Sequence, residues 1–236
     1  MRVTVINYCG TVGKTTVASQ LLAPRIANAE IFAVETVNET AADLGLEVEQ
    51  MRAGRFGDLY KRLMLAGEAI VDVGASNAEE FIARMIKFEG SHLEFDYFVV
   101  PVTSGAKEQK ETIKTLQALA GVGVAPERIR VLFNRVTNDV CEEFPAVLGF
   151  AERSRSVVAN PQAVIHENEV FDLLTTKKTT IAAVLADGTD YRSLIRTADH
   201  EREPNKVSHY VDMHAIQALA RGVSRQLDGA FQALLA

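Results

Sequence analysis

The sequence predicts an α/β fold, a doubly wound and mostly parallel sheet flanked by helices, with a helical appendage at the C-terminal end. Short apolar runs rich in β-branched residues alternate with helix-like segments over the first two-thirds of the chain. The runs are apolar throughout rather than alternating, as expected of strands buried on both faces. A glycine-rich loop lies between the first run and the first helix-like segment, which is typical of strand–loop–helix units.

Each element follows from a local pattern. Six runs are predicted as strands: residues 3–6, 31–34, 69–73, 97–100, 129–133 and the weaker run 163–165. Four segments between them are predicted as helices: residues 14–22, 56–65, 79–88 and 109–119. Strands that alternate with helices favour parallel pairing through helical crossovers.

The last 50 residues differ in composition, which divides the chain into residues 1–186 and an appendage, residues 187–236. Residues 187–205 are polar and are predicted as a loop or a loosely packed helix that breaks at Pro204. Residues 211–235 are predicted as one helix. Its apolar stripe consists of Ile216, Ala220, Val223, Leu227, Ala230 and Leu234. We expect the stripe to pack on the sheet of the same domain; the alternatives are a partner helix or a membrane surface.

Composition limits the class of protein. The net charge of −6 disfavours binding of DNA by the surface as a whole. Only two cysteines occur, Cys9 and Cys141, without metal-binding spacing, which favours a reducing, cytoplasmic location. The N-terminus resembles a strand rather than a signal peptide, and no apolar stretch approaches the roughly 20 residues that span a bilayer.

The loop after the first predicted strand carries the ending G-x-x-G-K-T-T of a Walker A motif. Backbone N–H groups at the start of a helix bind phosphate oxygens, and a lysine at this position neutralises the β- and γ-phosphates. The Thr15 hydroxyl is a predicted ligand of Mg²⁺. The predicted nucleotide-binding residues are Gly10, Thr11, Val12, Gly13, Lys14, Thr15 and Thr16, with ATP and Mg²⁺ as ligands. The complete motif has glycine where this chain has Tyr8.

Two other strand ends carry candidate site residues. Asp72 is predicted to hold Mg²⁺ with Thr15, and Gly74 to begin a switch loop and bring its N–H toward the γ-phosphate. Asn134 is predicted to contact the base. A GTPase would have an aspartate three residues after this asparagine, but the chain has Thr137, which favours adenine.

With these motifs in place, the chain resembles the ParA/MinD family of deviant-Walker ATPases. It is most similar to plasmid stability proteins of the StbB type over roughly residues 1–180, through "VGKTT", "FAVE", "VDVGASN", "FDYFVVP" and "NPQAVIHENEVF". The resemblance implies a switch that binds ATP and Mg²⁺ and hydrolyses ATP slowly. It also implies a role in plasmid stability or partition, a plasmid DNA-binding adaptor as partner, and an ATP-dependent homodimer.

Two features depart from the family. Cys9 stands where the family has a signature lysine that reaches the partner's phosphates in a sandwich dimer, and Tyr8 replaces the glycine before it. The family's water-positioning aspartate is also absent, and Glu35 is the best candidate for its role, with Asn38 in the following switch loop. The resemblance thus implies catalysis by Lys14, Asp72 and Glu35, with slow turnover because the signature lysine is missing.

Two other interpretations remain open. Dethiobiotin synthetases are similar in fold and lack the signature lysine, so an ATP-dependent kinase or ligase is possible, with a substrate carboxylate at Lys107 and Lys110. A scaffold that binds ATP without hydrolysing it is the second. Direct contact with DNA is also undecided. The candidate cations are Lys107, Lys110 and Lys114 on one helix face and Arg128, Arg130 and Arg135 around a strand.

Overall fold

The computed structural model describes residues 1–35 and 41–236, and within these ranges seven strands form one sheet. The strands are β1 (Arg2–Ile6), β2 (Glu30–Val34), β3 (Glu49–Met51), β4 (Ala69–Val73), β5 (Tyr97–Val102), β6 (Ile129–Val136) and β7 (Val164–His166). Every pair is parallel, and the order across the sheet is β3-β2-β4-β1-β5-β6-β7. The predicted doubly wound parallel sheet is confirmed.

Helices cover both faces of the sheet. They are α1 (Lys14–Thr16, continued by the π-helix Val17–Leu22), α2 (Phe56–Leu65), α3 (Ala75–Lys87), α4 (Ala106–Val122), α5 (Val140–Glu143), α6 (Pro145–Ser154), α7 (Val170–Lys177), α8 (Ile181–Ala186), α9 (Tyr191–Thr197) and α10 (Pro204–Leu235). One apolar core lies under α2, α3, α4 and α6, and the other lies under α1, α7, α8 and α10.

The first strand is at the centre of the sheet. β1 pairs with β4 on one side and with β5 on the other, and Val5 lies opposite Asp72. The carboxyl ends of parallel strands meet at one edge of the sheet, which is where ligands bind in folds of this type. The loop after β1 is therefore brought close to the residues at the ends of β2, β4 and β6.

The structure departs from the predicted elements where the sequence signal was weak. β3 was not predicted, because it is a short edge strand with the mainly polar sequence EQM that pairs with β2. α3 begins at Ala75, four residues before the predicted start, because the prediction relied on apolar residues further along. α10 begins at Pro204, seven residues before the predicted start, since the first turn of a helix tolerates proline.

α10 packs along the chain's own core. All six residues of its apolar stripe are buried, and they contact residues from α1, α7 and α8. The Arg25 guanidinium forms an ion pair of 2.7 Å with Asp228 on α10. The stripe is thus occupied by contacts within the chain rather than presented to a second copy. Among the residues that the structure describes, no helix has the length and apolarity that a membrane span needs.

Thr4 in β1 offers a direct test of core packing. Its side chain is fully buried, and its hydroxyl has no hydrogen-bond partner among the described residues. Thr4→Val is expected to raise the free energy of unfolding in urea by about 1 kcal/mol, because an unsatisfied polar group is removed at nearly constant volume. The matched control is Thr112→Val, whose hydroxyl accepts a hydrogen bond of 2.7 Å from Asn7. The control should lower the same free energy, and an equal effect of the two variants would contradict the prediction.

Candidate nucleotide-binding site

The loop between β1 and α1 is curled at the start of a helix. Gly13 has φ 80° and ψ 36°, a left-handed conformation that favours glycine. A β-carbon at Gly13 would also collide with the side-chain amide of Asn134. The Gly13 carbonyl accepts a hydrogen bond of 3.0 Å from the Val17 N–H, so the helix begins directly at Lys14. The arrangement of strand, loop and helix that a phosphate-binding loop requires is therefore present in the fold.

Asn134 stabilises this loop through a side-chain hydrogen bond. Its amide Nδ2 donates a hydrogen bond of 2.8 Å to the Val12 carbonyl, and its side chain is only 3% exposed. Asn134 is not among the residues that line the cavity above the loop, and its predicted contact with the base stays a prediction. The predicted strand ended before Asn134, whereas β6 continues to Val136, so Asn134 is an interior residue of the strand.

Lys14 is folded into the loop. Its Nζ donates a hydrogen bond of 2.7 Å to the Cys9 carbonyl, and the side chain is 5% exposed. Burial lowers the pKa of Lys14 below its usual range, and the nearby Asp72 carboxylate partly opposes that shift. A phosphate oxygen is a stronger hydrogen-bond acceptor than a peptide carbonyl. The Lys14 amine can therefore leave the Cys9 carbonyl and bind a phosphate oxygen within the loop.

Thr15 and Asp72 meet directly. The Thr15 hydroxyl donates a hydrogen bond of 2.8 Å to Asp72 Oδ2. Burial raises the pKa of Asp72 to about 6, although the hydrogen bond from Thr15 and the charge of Lys14 oppose the shift. Both side chains offer oxygen, the ligand atom that Mg²⁺ prefers, and Mg²⁺ usually takes few protein ligands beside phosphate oxygens. The described residues hold no group of three or more acidic, histidine or cysteine side chains that could bind a metal alone.

Glu35 lies over the start of α3. Its carboxylate accepts hydrogen bonds from Ser76 Oγ at 3.3 Å and from Asn77 Nδ2 at 3.4 Å, and it packs against Gly74. A carboxylate is favoured there by the helix dipole. The Gly74 N–H donates to the Val34 carbonyl at 3.0 Å and so continues the sheet ladder, and its predicted approach to a γ-phosphate stays a prediction. Asn38 lies outside the described residues.

Tyr8 and Cys9, which depart from the Walker motif, belong to the loop's support. The Asn7 side chain donates to the Pro101 carbonyl at 2.8 Å and accepts from the Cys9 N–H at 2.9 Å. The Tyr8 N–H donates to Thr115 Oγ1 on α4 at 3.0 Å. Neither Tyr8 nor Cys9 lines the cavity. These hydrogen bonds could not be predicted from the sequence, because Thr115 does not belong to a recognisable motif.

A cavity of about 640 Å³ opens above the loop, a volume suited to a small-molecule ligand. Its lining unites most of the predicted site residues and adds several that were not predicted for it. The lining comprises Gly10, Thr11, Gly13, Lys14, Thr15, Thr16, Glu35, Asp43, Leu44, Asp72, Gly74, Ala75, Arg135, Thr175 and Lys178. Arg135, Thr175 and Lys178 come from distant segments without a nucleotide-binding motif, which is why sequence patterns alone did not place them here.

Comparisons with known proteins agree with this architecture. No protein-family model matches the sequence, and no curated protein matches it. Among solved structures, a variant of Cyanothece McdA bound to ATP has 14% sequence identity and a TM-score of 0.54, over 94% of this chain and 96% of that one. MinD of Pyrococcus horikoshii with Mg-ADP has 15% identity and a TM-score of 0.55, over 75% and 86%.

The chain has the fold of McdA and MinD. A third structure with this fold, the MinC:MinD complex of Aquifex aeolicus, has 13% identity and a TM-score of 0.52, over 94% of each chain. The McdA and MinD fold is the one that the sequence resemblance to the ParA/MinD family implies. At these identities the likeness concerns the fold alone.

The raised pKa of Asp72 predicts a pH dependence of stability. The folded pKa of about 6 lies above the ordinary value of 3.8, so the folded state binds more protons between these values. Without Mg²⁺, the free energy of unfolding should therefore fall by about 2–3 kcal/mol as the pH rises from about 4 to about 6. The measurement is urea unfolding in EDTA for the wild type and Asp72→Asn. A constant difference between the two proteins over this pH range would refute the prediction.

Proposed function

We propose that this chain is a nucleotide switch that binds ATP with Mg²⁺ in the cavity above residues 10–16 and hydrolyses ATP slowly. One observation carries the proposal: the hydrogen bond of 2.8 Å between the Thr15 hydroxyl and the Asp72 carboxylate, directly beside the buried Lys14. A phosphate-binding helix start, a buried cation and a pair of oxygen ligands are thus side by side. This combination is what phosphoryl transfer requires, since its catalysis consists mainly of positioning and charge neutralisation.

Each residue has a defined task in this proposal. The backbone N–H groups of the loop hold the phosphates, and Lys14 exchanges the Cys9 carbonyl for phosphate oxygens. Thr15 and Asp72 would hold Mg²⁺, which supplies charge neutralisation to the phosphates when bound. Glu35 would orient the attacking water, a role supported by the position of its carboxylate over Gly74 at the end of β4. Asn134 keeps the loop in its binding shape through the Val12 carbonyl.

The switch would act through the segments next to Glu35 and Gly74. Both residues line the cavity: Glu35 directly follows β2, and Gly74 lies between β4 and α3. A bound γ-phosphate would displace the contacts of Glu35 with Ser76 and Asn77 and so change the surface presented to a partner. The sequence resemblance supports a role in plasmid stability or partition in the cytoplasm, with a plasmid DNA-binding adaptor as partner and an ATP-dependent homodimer as the active form.

The proposal is tested by measuring ATP binding, phosphate release and molar mass together on the purified chain, with Mg²⁺ and with EDTA. The expected result is slow, Mg²⁺-dependent phosphate release without any added metabolite, and a shift to dimer with ATP. Phosphate transfer that needs an added carboxylate substrate would favour the kinase or ligase. Tight ATP binding without release or mass change would favour the scaffold, and absence of ATP binding would refute the proposal.

A further inference from the structure

The loop after β1 contains two kinds of backbone N–H groups. From Gly10 to Thr16, none of these groups donates a hydrogen bond to an acceptor in the part of the chain that the structure describes. The N–H groups of Tyr8 and Cys9, by contrast, each donate to a buried side chain, at 3.0 Å and 2.9 Å. The start of the loop is therefore fixed to the body of the protein, and the N–H groups that follow are available to a ligand.

Three buried polar side chains, here called the Asn7 cluster, hold the start of the loop. Asn7 directly follows β1, Thr112 and Thr115 belong to α4, and all three are fully buried. Asn7 Nδ2 donates to Thr112 Oγ1 at 2.7 Å and to a carbonyl of β5 at 2.8 Å. These two bonds orient the amide so that Asn7 Oδ1 accepts from the Cys9 N–H. Thr115 Oγ1 accepts from the Tyr8 N–H and lies 3.3 Å from Asn7 Oδ1.

The Asn7 cluster holds the backbone at the position where the complete Walker A motif has glycine. Tyr8 stands there instead, and its partly buried side chain packs against the core under α4. A residue with a β-carbon has fewer backbone conformations than glycine, so it enters a tight loop only along a defined path. Two hydrogen bonds of the cluster end on this stretch of backbone, at Tyr8 and Cys9. The path from β1 into the loop is thus set by α4 and β5.

We propose that the Asn7 cluster positions the loop for phosphate binding and so couples the nucleotide affinity of the cavity to the position of α4. This inference rests on the proposed function of the cavity. No member of the cluster lines the cavity, so each acts through the loop. The Cys9 peptide transmits the effect, because its N–H is held by Asn7 and its carbonyl accepts from Lys14 Nζ at 2.7 Å. A loop that is already ordered binds a ligand more tightly, because less conformational entropy is lost on binding.

The test compares Thr115→Val with Thr115→Ser. Valine removes the hydroxyl at nearly constant volume, so the Tyr8 N–H loses its acceptor, whereas serine keeps the hydroxyl and removes only a methyl group. Thr115→Val should weaken the binding of both Mg-ATP and Mg-ADP by about tenfold, as expected for about one lost hydrogen bond to a buried group. Thr115→Ser should bind both nucleotides as the wild type does, although its melting temperature falls because a buried methyl group is lost.

The matched control is Thr4→Val, which makes the same change at a fully buried threonine of β1 outside the cluster. It should leave both affinities unchanged. Thr112→Val removes one acceptor of Asn7 Nδ2 and provides a second measurement within the cluster, in which both affinities should fall as well. The affinities are measured by titration calorimetry with ADP and with a slowly hydrolysed ATP analogue, on proteins whose folding is checked by circular dichroism.

The outcomes separate this inference from the proposed function. Wild-type affinities in Thr115→Val and Thr112→Val, with ATP binding that Lys14→Ala weakens, would overturn the inference and leave the proposed function intact. Equal losses of affinity in Thr115→Val and Thr115→Ser would also overturn it, because affinity would then follow core packing rather than the hydroxyl. Wild-type protein that binds neither nucleotide would refute both.

Discussion

Lys14→Ala is expected to weaken the binding of Mg-ATP by about 100-fold, the upper range for removing a charged hydrogen-bond donor from a desolvated site. Lys14 is 5% exposed, and its amine is 2.7 Å from a carbonyl of the same loop, so it is held at the proposed phosphate site before any ligand arrives. No other cation of the described chain is buried at the helix start. Affinity is measured by titration calorimetry with a slowly hydrolysed ATP analogue.

The control for this variant is Lys107→Ala. Lys107 is an exposed lysine in the first turn of α4, outside the cavity, and its removal should leave the affinity for Mg-ATP unchanged. Urea unfolding of Lys14→Ala checks that the protein remains folded, with a loss of about 1 kcal/mol expected because the Cys9 carbonyl loses its donor. Wild-type affinity in a folded Lys14→Ala protein would show that the nucleotide site has been assigned to the wrong loop.

Leu227→Ala should lower the free energy of unfolding by about 3–4 kcal/mol, as expected when a buried leucine leaves a cavity. Leu227 is 1% exposed on α10 and belongs to the same apolar core as Val17 and Leu21 of α1. We propose that residues 187–236 fold together with residues 1–186 as one unit. The loss should therefore appear in a single cooperative unfolding transition, measured in urea by circular dichroism and by nucleotide binding.

The neighbouring Gln226 provides the control, because it is exposed on the same turn of α10. Gln226→Ala should change the free energy of unfolding by less than about 0.5 kcal/mol. Two separate transitions in Leu227→Ala, with nucleotide binding lost only in the second, would mean that α10 unfolds independently of the sheet. That result would contradict the single folding unit.

Much of the fold could be predicted from the sequence because the buried strands are short apolar runs with clear ends. The bounds of β4 and α2 agree with the prediction to the residue. β3 could not be predicted, since an edge strand of three residues has too few apolar positions to show a period. The structure also places the loop, Asp72 and Glu35 around one cavity, as the strand-end pattern indicates.

The hydrogen-bond partners toward which individual polar groups point could not be predicted from the sequence. Asn134 and Gly74 were identified by their positions near strand ends, but their hydrogen bonds depend on how far each strand continues its ladder. Arg135 and Lys178 are 43 residues apart in the sequence, and only a bulge in β6 and the C-terminal cap of α7 bring them to one cavity. Sequence patterns report local spacing, so a site assembled from several segments is visible only in part.

The central position of β1 has a consequence for how the chain acquires its shape during synthesis. β1 leaves the ribosome before β4 and β5, the strands with which it pairs, and before Asn134, which fixes the loop through Val12. The core that covers the helix after the loop is complete only when α10 has been made. A nascent chain that ends before Asn134 therefore carries the complete sequence of the loop without the hydrogen bond to the Val12 carbonyl that fixes its shape. The loop is synthesised early, whereas the contact with Asn134 that fixes its shape forms late.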